Sequence, residues 1–260
     1  MKIATWNVNS IKMRLPNLLA WLKEAKPDVV CLQELKCMDD AFPRGAVEDA
    51  GYNVETHGQK TYNGVAILSK SPLEDVTRGL PGMEDDEQAR YIEALVPAGD
   101  AMMRVASIYL PNGNPVPGPK YDYKLDWMEK LRAHAQSLLA FEEPLVLAGD
   151  YNVIPTDDDV HDPAAWKDDA LFREDTLKAF RAYANIGLTD AFRACHTEPH
   201  RYSFWDYQAG AWQKDNGIRI DHLMLNAQAA DLLSACDIDK HVRDWEKPSD
   251  HVPVWAEFDV

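Results

Sequence analysis

The 260-residue chain is poor in cysteine: Cys31, Cys37, Cys195 and Cys236 form no C-x-x-C spacing. That excludes a zinc ribbon or a disulfide scaffold and makes a reducing, cytoplasmic setting the expectation. No apolar run approaches the ~18 residues a membrane span requires, so no membrane partner is expected. The N-terminus, Met1 to Asn7, goes straight into a strand-like pattern and has no signal-peptide features. Positive charge is also scarce. There are 27 Lys+Arg against 43 Asp+Glu, a net charge of −16. A protein that coats nucleic acid by charge alone is excluded, because neutralising phosphates takes Lys and Arg. A metal site built of carboxylates is not. The acids crowd the second half, where residues 141–260 carry 24 acidic groups against 11 basic ones.

What is present reads as short strands alternating with helices. Lys2 to Val8, Pro27 to Gln33, Gly64 to Ser69, Tyr91 to Val96, Arg104 to Leu110 and Pro144 to Asp150 are β-branched or aromatic runs of strand length. Val252 to Phe258 closes the chain with another, placing Val252, Val254, Ala256 and Phe258 on one face. Leu15, Leu18, Leu19, Leu22 and Ala25 recur at helical spacing, as do Leu125, Met128, Leu131, Ala135 and Leu138. Asp175 stands where an N-cap would precede Leu177, Phe180 and Ala184. These stripes are core-packing faces. No Ser/Gly linker divides the chain, and the one Pro/Gly-rich stretch, Pro111 to Pro119, suits a surface loop beside a site. The expectation is a single α/β domain over residues 1–260.

Three strand ends carry oxygen-rich side chains. The apolar run Leu145 to Ala148 ends in Gly149, then sets Asp150 and Asn152 two residues apart and so on one face. An Asp-x-Asn after a strand is also a common turn signal. Asn7 and Asn9 end the first strand in the same way, and Glu34 follows the apolar run Val29 to Gln33. Each is weak alone; together they suggest a convergent site of hard oxygen ligands, suited to Mg²⁺ or Mn²⁺ rather than zinc. Ser249-Asp250-His251 precedes the last strand, and Ile218-Arg219-Ile220-Asp221 lies thirty residues upstream. An Asp on another strand could orient and charge-stabilise that imidazole, but spacing leaves this open.

Seven segments then occur in order: Thr5-Trp6-Asn7-Val8-Asn9, Leu32-Gln33-Glu34, Tyr62-Asn63-Gly64-Val65-Ala66, Tyr109-Leu110-Pro111-Asn112-Gly113, Gly149-Asp150-Tyr151-Asn152, Ile218-Arg219-Ile220-Asp221 and Ser249-Asp250-His251. This pattern resembles the endonuclease/exonuclease/phosphatase superfamily, and within it the exonuclease III type of abasic-site endonuclease. The resemblance implies a four-layer α/β sandwich, two mixed β-sheets face to face and flanked by helices, with the site at one edge. It implies a Mg²⁺-dependent phosphodiesterase, with Mn²⁺ as substitute, acting as a monomer on duplex DNA with abasic sites, nicks or 3′ ends.

Carried over by position, Glu34 is similar to the family's metal carboxylate, with Asn7 beside it. Asp150 resembles the residue that moves a proton to or from the reacting oxygens. Asn152 would orient the nucleophile or steady the transition state, and Tyr109 and Asn112 would contact the scissile phosphate. Asp221 resembles the partner of His251, and Asp250 a further metal-site carboxylate; Asp150, Asn152 and His251 are also read as bordering the metal.

Within the aromatic stretch Tyr202 to Tyr207, Phe204 and Trp205, with Ile218, resemble the wall of a pocket for a base-free deoxyribose. Arg90, Lys120, Lys124, Arg201 and Arg219 are read as possible trackers of the phosphate backbone. Two other readings compete: a superfamily phosphoesterase acting on inositol phosphates, phospholipid headgroups or RNA, and a catalytically inactive DNA-binding member. The joint presence of Glu34, Tyr109, Asp150, Asn152, Asp221 and His251 disfavours the second.

Overall fold

Twelve strands carry the fold, and the computed structural model describes residues 1–260. In chain order they are β1 (Lys2–Asn7), β2 (Val29–Gln33), β3 (Asn53–His57), β4 (Val65–Ser69), β5 (Glu74–Arg78), β6 (Tyr91–Ala98), β7 (Ala101–Tyr109), β8 (Leu145–Asp150), β9 (Thr189–Asp190), β10 (Asp221–Leu225), β11 (Leu233–Ile238) and β12 (Val254–Phe258). The helices are α1 (Ile11–Ala25), α2 (Arg44–Asp49), α3 (Pro119–Leu138), α4 (Pro163–Trp166), α5 (Glu174–Asn185), α6 (Ala191–Cys195) and α7 (Ala227–Asp231). The strands form two six-stranded mixed sheets, ordered β11-β12-β1-β2-β4-β3 and β5-β6-β7-β8-β10-β9.

Each sheet has one parallel pair at its centre, β1 with β2 and β7 with β8; every other pairing is antiparallel. The central strands β2, β4 and β8 are buried throughout, which explains their unbroken apolar runs. The inner faces meet in a core that includes Ile3, Val29, Cys31, Ile67, Ile92, Val105, Val146 and Leu223. A second core lies between the outer face of β7 and β8 and helices α3 and α5, around Trp127, Met128, Leu131, Phe180 and Tyr183. The four-layer sandwich is as expected.

The parallel pairs decide where the chemistry gathers. β1, β2, β7 and β8 all end at one edge of the sandwich, and antiparallel β10 and β12 begin there. In register, Tyr109 lies opposite Asp150, and Asp150 opposite Asp221. Gly149 is required by close approach of β7: a Cβ there would lie 2.0 Å from the Ile108 carbonyl oxygen.

One boundary differs from expectation. Helix α5 begins at Glu174 with Arg173 at the cap position, so Asp175 lies inside the first turn and makes no capping bond. Its carboxylate still lies favourably near the positive end of the helix dipole.

Candidate active site

The site is assembled from strand ends that bring their polar groups together under burial. Asn7, at the end of β1, has no exposed surface; its Nδ2 donates to Glu34 Oε1 at 2.8 Å and to Asp150 Oδ2 at 2.9 Å. Its Oδ1 accepts from the Asn9 backbone N–H at 3.0 Å, which fixes the amide's orientation. Glu34 follows β2 in a left-handed conformation (φ 53°) and pairs with Lys36 at 2.8 Å. Burial raises the Glu34 pKa, but Lys36 and the Asn7 amide outweigh it, so the carboxyl stays below its ordinary range.

Asp150 ends β8 almost fully buried, its Oδ1 accepting the Asn152 backbone N–H at 2.9 Å. Burial raises its pKa above the carboxylate range; Asp221 adds to that and His251 opposes it. A buried acid with raised proton affinity is suited to exchanging a proton near neutral pH.

His251 precedes β12. Its carbonyl oxygen accepts from Trp6 Nε1 at 3.1 Å, and Ser249 beside it donates to the Asn7 carbonyl at 2.7 Å. Its Nδ1 donates to Asp221 Oδ2 and Oδ1 at 2.9 and 3.1 Å, and its Nε2 lies 3.7 Å from Asp150 Oδ2. Asp221 is further held by the Ser203 hydroxyl, which donates to Oδ2 at 2.6 Å. Burial opposes the imidazolium charge, yet Asp221 and Asp150 outweigh it and push the His251 pKa up to about 10. The dyad left open by spacing is therefore formed, and the two carboxylates favour the protonated imidazole.

Asn152 adopts φ 48°, and each of its side-chain groups is engaged. Nδ2 donates to the Leu110 carbonyl at 2.9 Å, and Oδ1 accepts from Asn112 Nδ2 at 3.1 Å. Asn112 is exposed and is held in turn by Asn114, whose Nδ2 donates to Asn112 Oδ1 and to Asp169. The Tyr109 phenol is kept neutral well above its ordinary pKa by burial and by the nearby charges of Glu34 and Asp150. The Arg90 guanidinium lies 4.8 Å from the Tyr109 ring centre and donates to the Tyr109 carbonyl at 3.2 Å.

These groups surround a cavity of about 260 Å³ with Glu34, Tyr109, Asp150, Asn152 and His251 on its polar side. Phe204, Ile218, Ile220, Trp166 and Leu171 form its apolar wall, and Phe204 stands edge-on to the His251 ring at 4.9 Å. A neighbouring polar cavity of about 450 Å³ holds Arg90 and Lys120 along its lining, next to Tyr109 and Asn112. Trp166, Leu171, Ile220, Asn114 and Asp169 are additions that the sequence reading misses. Ile220 has a signal: it stands two residues from Ile218, on the same face of an extended segment.

Of the six residues read as bordering a metal, Glu34, Asp150 and His251 bring polar atoms within 4.8 Å of one another, and of these the two carboxylates can ligate while the protonated imidazole cannot. Asn7 presents its amide nitrogen to the carboxylates, Asn152 Oδ1 is occupied by Asn112, and Asp250 Oδ1 accepts from Asn9 at 3.0 Å. The pair Glu34 and Asp150 fits a hard divalent cation: both are carboxylates, no thiol is among the lining groups, and the buried Asp150 charge is undercompensated.

Three expected contacts are corrected. Trp205 is fully buried and donates Nε1 to Asp215 at 2.9 Å, away from the cavity that Phe204 lines. Arg219 is fully buried, with Nε on Asp159 at 2.7 Å and Nη1 on Asp190 at 2.8 Å, so it cannot track phosphates. Lys124 is buried as well. Arg201 stays half-exposed, in a surface ion pair with Asp237.

Sequence and structure comparisons agree with this geometry. The family profile described as Endonuclease/Exonuclease/phosphatase family matches residues 4–251. Exodeoxyribonuclease III of Haemophilus influenzae is 32% identical over 269 residues, covering 99% of this chain and 100% of that protein. A 3′ phosphatase, NExo, from Neisseria, solved with a product DNA hairpin, superposes with TM-score 0.96 at 39% identity over 100% of both chains. An AP endonuclease from Archaeoglobus fulgidus gives TM-score 0.95, also at 39% identity and 100% coverage of both. With the profile spanning nearly the whole domain, and a relative above 30% identity matched end to end, the chain belongs to the endonuclease/exonuclease/phosphatase family.

Proposed function

We propose that the protein is a Mg²⁺-dependent DNA-repair phosphodiesterase of the exonuclease III type. It trims 3′ ends of duplex DNA and incises 5′ to abasic sites, acting as a monomer in the cytoplasm. The observation that carries this reading is Asp150: a buried carboxyl of raised proton affinity at the cavity floor, between the Asn7 amide and the His251 imidazole. By their names the relatives above are an exodeoxyribonuclease, a 3′ phosphatase bound to product DNA and an AP endonuclease, and their similarity extends over the whole chain. The four cysteines are free, in keeping with a reducing compartment, and no helix is long and apolar enough to cross a membrane.

In this reading the Asp150 carboxylate takes the proton of the attacking water, and Asn152, locked by Asn112 and Leu110, orients that water. The His251 imidazolium, with Asp221 behind it, donates from Nε2 to a non-bridging phosphate oxygen, and the neutral Tyr109 phenol donates to another. Glu34 and Asp150 would hold the Mg²⁺, which when bound supplies charge neutralisation on the phosphate and leaving oxygen. The apolar wall around Phe204 and Ile218 receives a sugar without a base or at a chain end. Arg90 and Lys120 bind the adjoining backbone phosphates.

The test is a substrate panel: a duplex with one internal abasic site, a duplex with recessed 3′ ends, a 3′-phosphorylated nick, and an inositol phosphate, each with Mg²⁺ and with EDTA. Cleavage of the DNA substrates in Mg²⁺, lost in EDTA and restored by Mn²⁺, is expected. No cleavage of any DNA in Mg²⁺ overturns the reading. Cleavage of 3′ ends with an intact abasic duplex removes the incision activity from it.

A further inference from the structure

Lys124, on α3, is the only lysine in the chain without exposed surface. Its neighbours on the same helix, Trp127, Met128 and Leu131, are buried and apolar, so the helix needs no cation there to pack. Taking an ammonium out of water without a carboxylate partner is costly. Its two hydrogen-bond acceptors are backbone carbonyls, of Asn112 at 3.1 Å and of Asn152 at 2.6 Å. Those two residues also meet through their side chains at the site.

We propose that Lys124 is a positioning residue: its buried side-chain amino group, donating to two carbonyls, clamps the main chain of the Asn112 and Asn152 loops together, and so aims both side chains at the reacting phosphate. This rests on the function proposed above. The geometry forms a closed ring running from the Asn112 carbonyl through the amino group to the Asn152 carbonyl, and back through the two side-chain amides. Asn152 occupies the left-handed region, where a non-glycine residue is strained, and the lysine contact is one of the bonds that hold it there. A second, independent feature is Gly113. The loop lies across the lysine stem so closely that a Cβ at Gly113 would be 2.7 Å from Lys124 Cδ. Gly113 also has φ 92°. The bare glycine lets the stem pass beneath the loop to reach both carbonyls.

The experiment compares full-length wild type, Lys124→Met, Asn152→Ala and the double variant on a duplex with recessed 3′ ends in Mg²⁺. Leu131→Ala, on the same helix but remote from the loop, is the control for lost stability. A clamp acting through Asn152 predicts that Lys124→Met lowers kcat by about 10-fold or more with KM changed less than about 2-fold. In the Asn152→Ala background, Lys124→Met should cost less than about 2-fold further, because the two act as one unit. Lys124→Arg, which keeps donors, should recover much of kcat. Gly113→Ala, which displaces the stem, should reproduce the loss, and serves if Lys124→Met does not fold. Losses that multiply in the double variant, or an equal kcat loss in Leu131→Ala, overturn the proposal. A readout without turnover separates this from failure of the nuclease reading: the side-chain amide NMR signals of Asn112 and Asn152 should shift in Lys124→Met even if no DNA is cut. Unmoved signals overturn the clamp alone.

Discussion

Replacing Asp221 with Asn removes one charge from the site while keeping the shape of the side chain. Asp221 is fully buried; it receives the His251 Nδ1–H through both oxygens and the Ser203 hydroxyl through one. The substituted amide would accept one of these donors and supply no negative charge. Without that charge the burial that opposes the imidazolium is no longer outweighed, and the His251 pKa should fall from about 10 to near or below the ordinary ~6.5. At one pH unit per ~1.36 kcal/mol, holding the proton at pH 7 with a pKa of about 10 amounts to about 4 kcal/mol at most. That agrees with the ~3–5 kcal/mol seen when one partner of a buried ion pair is removed.

The sign follows from a folded pKa above the unfolded one. The dyad's contribution is complete below about pH 6.5, and is lost as pH rises toward about 10. Denaturant melts of wild type and Asp221→Asn should therefore differ by about 4 kcal/mol near pH 6 and converge above pH 10. The alkaline limb of the cleavage profile should move down by about three pH units, and kcat at pH 8 should fall by about 10²-fold or more. The imidazole can be followed directly by NMR titration. If His251 in Asp221→Asn titrates where it does in wild type, or if cleavage at pH 8 is unchanged, the assignment of Asp221 as its charge partner is wrong.

Three other outcomes follow from the geometry. Asp150→Asn should abolish cleavage while gel-shift affinity for duplex DNA stays within about 3-fold, since the substituted group handles protons rather than the backbone; near-normal turnover would remove Asp150 from the chemistry. Arg90→Ala and Lys120→Ala should each weaken DNA binding regardless of sequence and reduce the salt slope of log K by about 1, measured by titration across salt concentrations. An unchanged slope would mean these residues meet no phosphates. Asp159→Asn should cost about 2 kcal/mol, because it removes one of the two carboxylates that hold the buried Arg219, leaving only Asp190, and weakens Arg193. Burial raises the Asp159 pKa, but the two arginines outweigh it and hold it at about 2. The stability difference should thus be complete above about pH 4 and close as pH falls toward 2. A flat difference across that range would mean the pair does not stabilise the fold.

The net charge of −16 is compatible with a DNA substrate because the charges are locally sorted. Glu34, Asp150, Asp221 and Asp250 lie at the site, and Asp159 and Asp190 neutralise Arg219 in the interior. The half-buried Arg90 and exposed Lys120 beside the cavity form a short cationic rim. Affinity for DNA should accordingly be modest and strongly salt-sensitive.

The central strands β2, β4 and β8 are legible because residues buried on both faces are mostly apolar, whereas β10, equally buried, opens on Asp221 and His222 and is not. Edge strands β3, β5 and β11 are not, since they pair on one side and carry exposed polar residues that resemble loops. The misplacement of Trp205 and Arg219 has one physical cause. Successive side chains of an extended segment point to opposite sides. Phe204 faces the cavity, so Trp205 turns into the core; Ile218 and Ile220 face it, so Arg219 turns away.

The sequence by itself determined the kinds of groups available, the strand ends that carry them and, through seven ordered segments, the family. The tertiary structure alone decided how those groups are ionised and which of them meet. Asn7 and Asp150 are 143 positions apart in the chain yet 2.9 Å apart in space. The His251 imidazole gains proton affinity because Asp221, thirty positions away, is buried against it. Proton affinity depends on burial and on distances between charges, and neither quantity exists until the two sheets have closed on each other.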